Sequence, residues 1–369
     1  MWSVFIAKIH IKVDSYRIVL SMNEKEMYMK RCLQLASLAR AKAAPNPMVG
    51  AVIVHNGRVI GEGYHTICGS AHAEVEAVRA VADDSLLKES TLYVSLEPCS
   101  HFGKTPPCAA LIIEKKIPRV VVGTLDPFPA VSGRGVGMLQ DAGIEVEVGV
   151  LEEECRELNK SFFCFQENKR PYIILKWAQS KDGFIDKNRE AVENPLPTQI
   201  SNELTRMHVH KLRSEVQSIL VGTNTAIKDN PSLTVRFWSG NNPLRLVVDR
   251  NLRIPSDFNL LMGDVHTLVF THTATRSNGR CEYISLKSKQ TMTDQIMEVL
   301  YRRKIQSVLI EGGSQLLQSF IDAGMWDEVQ VEVANIALGD GVPAPCLKAA
   351  LYKTEKVGSS ELLNYRRSM

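Results

Sequence analysis

The chain has 369 residues, 44% of them hydrophobic and 23% charged, so at roughly 150 residues per domain it should hold two domains, each able to bury a core. Its 44 basic and 41 acidic residues leave a net charge of +3, which excludes the basic field that a nucleic-acid backbone demands, and no stretch approaches a membrane span. The eight cysteines are scattered, which in so long a chain argues for free thiols in a reducing compartment and against a disulfide framework.

Residues 1–21 carry two short apolar runs, Val4-Phe5-Ile6 and Ile18-Val19-Leu20, broken up by Lys8, His10, Lys12, Asp14 and Arg17. A secretory signal needs an unbroken apolar core, so this segment reads as an extension that the fold does not require. Asn23 followed by Glu26 makes a capping box, and Tyr28, Cys32, Leu35, Ala36 and Ala39 recur at helical spacing, predicting a first helix over 24–42. Pro45-Asn46-Pro47 breaks it. Residues 49–54 then read as a strand that turns at Asn56-Gly57 into Val59-Ile60, a hairpin.

His72 opens the next helix, whose apolar stripe is Val75, Val78 and Val81, and a strand over 91–96 delivers Glu97-Pro98-Cys99 at its end. Helix 109–115, strand 119–122, helix 135–141 and strand 144–148 continue the alternation. That rhythm predicts a mainly parallel sheet between helices.

The chemistry gathers between His72 and Cys108. His72, Cys99 and Cys108 offer one imidazole and two thiolates, three of the four ligands of a tetrahedral zinc, with the fourth position left for water. Zinc lowers the pKa of such a water to about 7, and Glu74, two residues past the histidine, stands where a general acid/base is needed. His-x-Glu with a later Pro-Cys pair is the pattern of zinc nucleobase deaminases, which add water to a ring carbon and release ammonia. A structural zinc clip, or buried thiols beside a core histidine, is the alternative. Eight residues separate the two cysteines where nucleoside and nucleic-acid deaminases have two, so the inserted loop must rise beside the metal and help to form the pocket.

A helical segment from Leu151 to Asn168 ends at Arg170-Pro171, placing a domain boundary near residue 168. Alternation resumes with strand 172–178, helix 202–212, strands 218–222 and 244–248, helix 293–304 and strand 308–311. Gly312-Gly313-Ser314 follows and opens a helix that Gly324 can end. Glycines let a backbone approach a ligand, Ser314 can cap, and the N–H groups of a helix start suit a dinucleotide phosphate. A Gly-Gly pair is also the mark of a plain tight turn, and there is no G-x-G-x-x-G in the chain.

The run Pro98-Cys99-Ser100-His101-Phe102-Gly103-Lys104-Thr105-Pro106-Pro107-Cys108 resembles the hallmark loop of the bifunctional riboflavin-biosynthesis deaminase/reductase family, and the likeness extends from about Met22 almost to the C-terminus. The resemblance implies an α/β protein with a cytidine-deaminase-like three-layer αβα domain over 22–168 and a dihydrofolate-reductase-like α/β domain over 169–369. It implies Zn2+ and NADPH as cofactors and a small phosphorylated pyrimidine as substrate. A cytoplasmic homo-oligomer with no nucleic-acid or membrane partner is expected. By the same resemblance Asn46, His65 and Lys104 meet the deaminase substrate, although Asn46 also suits a turn between prolines and Lys104 a solvated loop.

In the second half the resemblance assigns Ala178, Thr225, Asp229 and the Gly313 turn to NADPH, and Arg213, Leu233, Arg236 and Glu311 to the phosphoribosyl substrate. A guanidinium fork matches phosphate oxygens bidentately, so Arg213 and Arg236 fit that task, with surface arginines as the alternative. Departures from the family pattern are Ala71 for Pro, Phe128 for Asn, and Gln199-Ile200-Ser201-Asn202 for Trp-Ile-Thr-Ser or Trp-Ile-Thr-Gly, behind Asn194-Pro195-Leu196-Pro197. They leave two other readings: a deaminase with a decayed reductase half, or a non-catalytic zinc protein, against which Glu74 argues.

Overall fold

The computed structural model describes residues 23–40, 42–101, 106–128, 131–189, 197–273, 277 and 279–367. The 1–21 extension, Lys104 and Asn194-Pro195-Leu196 lie outside the described residues. The chain divides into two units, one ending at Phe163 and the other beginning at Cys164.

In the first unit the Asn23–Glu26 capping box forms, with Asn23 Oδ1 accepting from Glu26 N and Glu26 Oε2 from Asn23 N. It starts helix α1 (Glu24–Ser37), which is shorter than the spacing predicts. Leu38, Ala39 and Arg40 turn through bonds to the residue three back, so Ala39 keeps its buried place without extending the helix. The hairpin β1 (Gly50–His55) and β2 (Arg58–Tyr64) turns at Asn56 and Gly57, with φ of 48° and 73°. Then come α2 (Ala73–Arg79), β3 (Thr91–Leu96), α3 (Cys108–Glu114), β4 (Arg119–Thr124), α4 (Arg134–Asp141), β5 (Glu145–Val148) and α5 (Glu152–Leu158).

The strand order is β2-β1-β3-β4-β5. β3, β4 and β5 are parallel, as the rhythm predicts, but β1 is antiparallel to both its neighbours because it belongs to a hairpin. Alternate side chains divide the core. Ile53, Leu92, Val94 and Val120 pack with α2, α3 and α4, while Val52, Tyr93 and Val121 pack with α1 and with Cys155 of α5. The result is three layers, αβα.

Helix α6 (Lys160–Asn168) leads along the chain to β6 (Tyr172–Ser180), β7 (Phe184–Asp186), α7 (Glu203–Glu215), β8 (Ser218–Gly222), α8 (Thr223–Asp229) and β9 (Leu244–Val248). There follow β10 (Thr267–Thr271), β11 (Cys281–Ser285), α9 (Met292–Arg302), β12 (Ser307–Gly312), α10 (Ser314–Asp322), β13 (Glu328–Ala334), β14 (Val342–Pro343), β15 (Leu351–Val357) and β16 (Ser360–Arg366). The main sheet runs β11-β10-β9-β8-β12-β6-β13-β16-β15, parallel from β11 to β13 and antiparallel at β16 and β15. Ile173, Leu175, Val308 and Ile310 face α9 and α10; Ile174, Ile219 and Leu309 face Leu212 of α7 and Ala226 of α8. An open, doubly covered parallel sheet takes its ligands at the carboxyl ends of its strands.

Candidate active sites

His72 is the N-cap of α2, Cys99 follows the end of β3, and Cys108 is the first residue of α3. Two element starts and one strand end therefore converge. Nδ1 of His72 lies 3.5 Å from Sγ of Cys99 and 3.3 Å from Sγ of Cys108, and one ligand atom from each residue falls within 4.8 Å of the others. With Zn–S of about 2.3 Å and Zn–N of about 2.0 Å, a tetrahedral ion would set N···S edges near ~3.5 Å. The residues fit zinc.

Close packing makes this convergence possible. A Cβ on Gly63 of β2 would lie 2.4 Å from the carbonyl oxygen of Ala73, so glycine lets the first turn of α2 sit against the strand. Glu74 in that turn is only 3% exposed. Burial first, and then the Cys99 thiolate, push its carboxyl up to about 7. A carboxyl balanced there takes and gives protons near neutrality. Cys99 is held low, at about 4, by hydrogen bonds from Cys108 and His72. A metal cation would take the place of those shared protons.

His65 borders the cluster, its ring edge-on to His72 with centroids 5.7 Å apart. Its Nδ1 faces the carbonyl oxygen of Ala71 at 3.1 Å and must donate. Burial lowers its pKa and favours the neutral ring, so Nε2 accepts from Nδ2 of Asn46 at 3.0 Å. Two of the three residues that the resemblance assigns to this pocket, Asn46 and His65, are thus together, and the third, Lys104, lies outside the described residues. Phe128 is exposed, with its ring edge-on to His101 at 6.3 Å.

Glu97 went without a role in the sequence reading. Its buried carboxylate accepts from the backbone N–H groups of Asp126, Gly133, Gly135 and Val136, at 3.2, 2.9, 2.9 and 3.2 Å. It therefore ties the turn that starts α4 to the strand end carrying Cys99, and its place before Pro98-Cys99 was the only signal of this in the sequence.

In the second unit a cavity of about 1070 Å³ opens at the carboxyl ends of the strands. Of the residues that the resemblance assigns to this half, Ala178, Thr225, Asp229, Gly313, Arg213, Arg236 and Glu311 line it. Leu233 does not: its side chain is in the core behind α7 and α8, and its φ is 53°. Gly313 has φ of 76° and is itself the N-cap of α10, so Ser314 is the first helical residue and does not cap. Arg213 is already engaged, donating to both oxygens of Glu311 at 3.0 and 2.5 Å. Arg236 has more freedom. Its guanidinium reaches only Oγ1 of Thr234, at 3.2 Å, among the described residues. Its backbone N–H donates to Nδ1 of His210, a ring that burial, and then the Arg213 and Arg236 charges, hold down to about 4.

Two buried charges here escaped the sequence reading. Lys176 interrupts the apolar run of β6 and lines the cavity, 3.9 Å from Glu332. Glu332 is 0% exposed and accepts from the hydroxyls of Ser201 at 2.6 Å and Ser360 at 3.0 Å. The described part of the altered segment is therefore anchored to the sheet. Gln199, Ile200 and Ser201 line the cavity, and Asn202 caps α7 by accepting from Thr205 N.

A three-layer fold with a His/Cys/Cys cluster, joined to a doubly wound domain with a cation-lined cavity, defines a two-domain zinc deaminase and reductase. Residues 22–124 match the family model of the cytidine and deoxycytidylate deaminase zinc-binding region, and residues 171–362 match the RibD C-terminal domain. The riboflavin biosynthesis protein RibD of Aquifex aeolicus is 40% identical over 92% of this chain and 98% of its own length, and that of Escherichia coli is 35% identical over 89% and 93%. A crystal structure of the Thermotoga maritima diaminohydroxyphosphoribosylaminopyrimidine deaminase/5-amino-6-(5-phosphoribosylamino)uracil reductase superposes with a TM-score of 0.85 at 36% identity, covering 94% of this chain and 99% of that one. The chain belongs to the bifunctional riboflavin-biosynthesis deaminase/reductase family.

Proposed function

We propose that residues 22–168 deaminate 2,5-diamino-6-(5-phosphoribosylamino)pyrimidin-4-one and that residues 169–369 reduce the ribosyl side chain of the product to ribityl with NADPH. The observation that carries this reading is the convergence of His72, Cys99 and Cys108 beside a buried Glu74. Those three side chains hold zinc, which when bound supplies a water acidic enough to ionise near neutral pH. Glu74 accepts a proton from the attacking water and returns it to the departing amine, so water is consumed, the ring carbon gains a carbonyl and ammonia leaves. Asn46 and His65, joined by their hydrogen bond, orient the ring. Lys104 is the loop cation for the substrate's polar groups.

In the second half Ala178, Thr225, Asp229 and Gly313 hold the dinucleotide, which supplies the hydride. Arg236, beside the Arg213–Glu311 pair, positions the phosphoribosyl chain. Positioning of this kind supplies much of the rate of a hydride transfer. We place the enzyme in the cytoplasm: its phosphorylated substrate is an intracellular class of metabolite, and no helix among the described residues is long and apolar enough to cross a membrane.

The test is metal analysis alongside an ammonia assay. The wild-type chain should hold one zinc, and Glu74→Gln should keep it while deamination falls by about 10² to 10⁴, the usual share of a general acid/base. A fall smaller than about tenfold would remove Glu74 from the proposed chemistry.

A further inference from the structure

Resting on the reductase reading above, we propose that Arg189 is a positioning residue for the cofactor: it keeps the Asp229 carboxylate ionised and fixed at the cavity wall, where that carboxylate accepts a hydrogen bond from an N–H or O–H group of NADPH. Arg189, Asp186 and Asp229 all line the cavity of the second unit. Their support is built from the backbone outward. β7 pairs with β14, Val342 opposite Asp186, and a Cβ on Gly341 would lie 2.0 Å from the carbonyl oxygen of Asp186. Glycine there, with φ of 156°, lets the two segments close and fixes where Asp186 stands. Oδ1 of Asp186 then accepts from Nε of Arg189 at 3.0 Å, from Oγ1 of Thr198 at 2.5 Å and from the backbone N–H of Lys187 at 2.9 Å. From this anchor the guanidinium crosses to α8, where Nη1 donates to Oδ1 of Asp229 at 2.8 Å and to the carbonyl oxygen of Lys228 at 3.2 Å. One planar fork thereby ties β7 to the end of α8, and with its side chain only 7% exposed it serves as an internal strut.

The two carboxylates differ in what they leave over. Asp186 is occupied by its own segment, whereas the side chain of Asp229 is 35% exposed and no donor reaches its Oδ2 among the described residues. An acceptor held from one side and open on the other is set for a donor that arrives with the ligand. Charge says which kind. Two carboxylates flank one guanidinium, so the group as a whole is negative. It would repel a phosphate, whereas the carboxamide N–H and ribose O–H groups of a dinucleotide suit it.

The same arrangement gives the pair a pH dependence. Burial raises the Asp229 carboxyl, and Arg189 opposes it by hydrogen bond and by charge. Among the described residues the other charged groups that act on Asp229 are Asp186, which raises it, and Lys228, which lowers it. Of the strands packed against α8, β8 carries no charged side chain. On β9, Arg245 is committed to the carbonyl oxygens of Asn259, Met262 and Val265, and Asp249 beyond it to the N–H groups of Arg253 and Ile254. The ionised carboxylate is the form that accepts from the cofactor. Its contribution to affinity is therefore present above its pKa and lost as the pH falls through it, and removing Arg189 moves that loss to higher pH.

Calorimetric titration of the full chain with NADP+ across the acid to neutral range tests the assignment. Relative to wild type, Arg189→Ala should weaken binding by about tenfold at about pH 5.5 and by less than about threefold at about pH 8, and Arg189→Lys should recover part of the loss. The phosphates of NADP+ titrate alike against every variant, so the difference between variants reports the protein. In an Asp229→Asn background, adding Arg189→Ala should produce no pH-dependent difference, because the group that Arg189 governs is gone. Where Arg189→Ala melts too low to titrate, Arg189→Gln, which removes the charge and keeps an amide donor, carries the same expectation. Unchanged binding, or a loss equal at every pH, would overturn the proposal while leaving the reductase reading intact. If the wild-type chain binds no NADP+ at any pH, the reductase reading falls and this proposal with it.

Discussion

The metal cluster of the first unit is drawn from one short stretch, His72 to Cys108, whereas the cavity of the second is lined by residues from Lys176 to Val342. The difference follows from what each site must hold. A zinc ion accepts few donor types at fixed distances, so the side chains that hold it are narrowly prescribed. A phosphate or a dinucleotide can be met by any guanidinium, by backbone N–H groups or by a helix start, so the same task disperses along the chain. The compact site tolerates no substitution among its ligands; the dispersed one can change a loop and persist.

Variants can break or sharpen this contrast. The largest effect should come from Cys99→Ala or Cys108→Ser, each of which should abolish zinc binding and ammonia release while cofactor binding by the second unit is unchanged. Full zinc retention in both would dissolve the cluster. Next is Arg213→Ala, which strands the part-buried Glu311 carboxylate that Arg213 holds. Leaving such a group without its partner typically costs about 1 to 3 kcal/mol, so thermal melting of the second unit should fall. Arg236→Ala, whose side chain is exposed and makes no ion pair among the described residues, should leave melting unchanged. It should weaken substrate binding in the reductase assay by about 1.5 to 3 kcal/mol, the scale of a hydrogen bond to a charged group, with deamination untouched. If Arg236→Ala instead melts early and Arg213→Ala does not, the roles given to the two arginines are reversed.

Much of the fold was legible because its signals are local. The capping box at Asn23, the Asn56-Gly57 turn and strands β3, β8 and β9 lie where the sequence places them. Strand direction was legible only where a turn reports it: the hairpin makes β1 and β2 antiparallel, but the antiparallel pairing of β1 with β3 joins distant segments and an alternating rhythm does not report it. Strands β10, β11, β13, β15 and β16 went unread: β15 is largely exposed and carries no buried stripe, whereas β10 is buried throughout and β13 nearly so, the polar Glu328, Gln330 and Glu332 masking the apolar run of β13. The metal ligands could be read because His, Cys and Cys in that order have few other uses. Arg213 and Glu311 could each be named through the family likeness, but their mutual engagement joins residues 98 positions apart and appears only in three dimensions. Glu332 was hidden in the same way, as one acidic residue among the valines of β13.

The altered 199–202 segment put the second half in question, and Ser201 on Glu332 shows that a serine there still reaches the sheet. The most direct measurement supplies purified protein with the diaminopyrimidinone phosphate, adds NADPH second, and follows ammonia release and NADPH oxidation separately. Ammonia should appear first and without NADPH. Oxidation should then begin, depend on the deaminated product and proceed to completion. Ammonia release without NADPH oxidation at any substrate concentration would contradict the account and leave a deaminase joined to an inactive reductase fold.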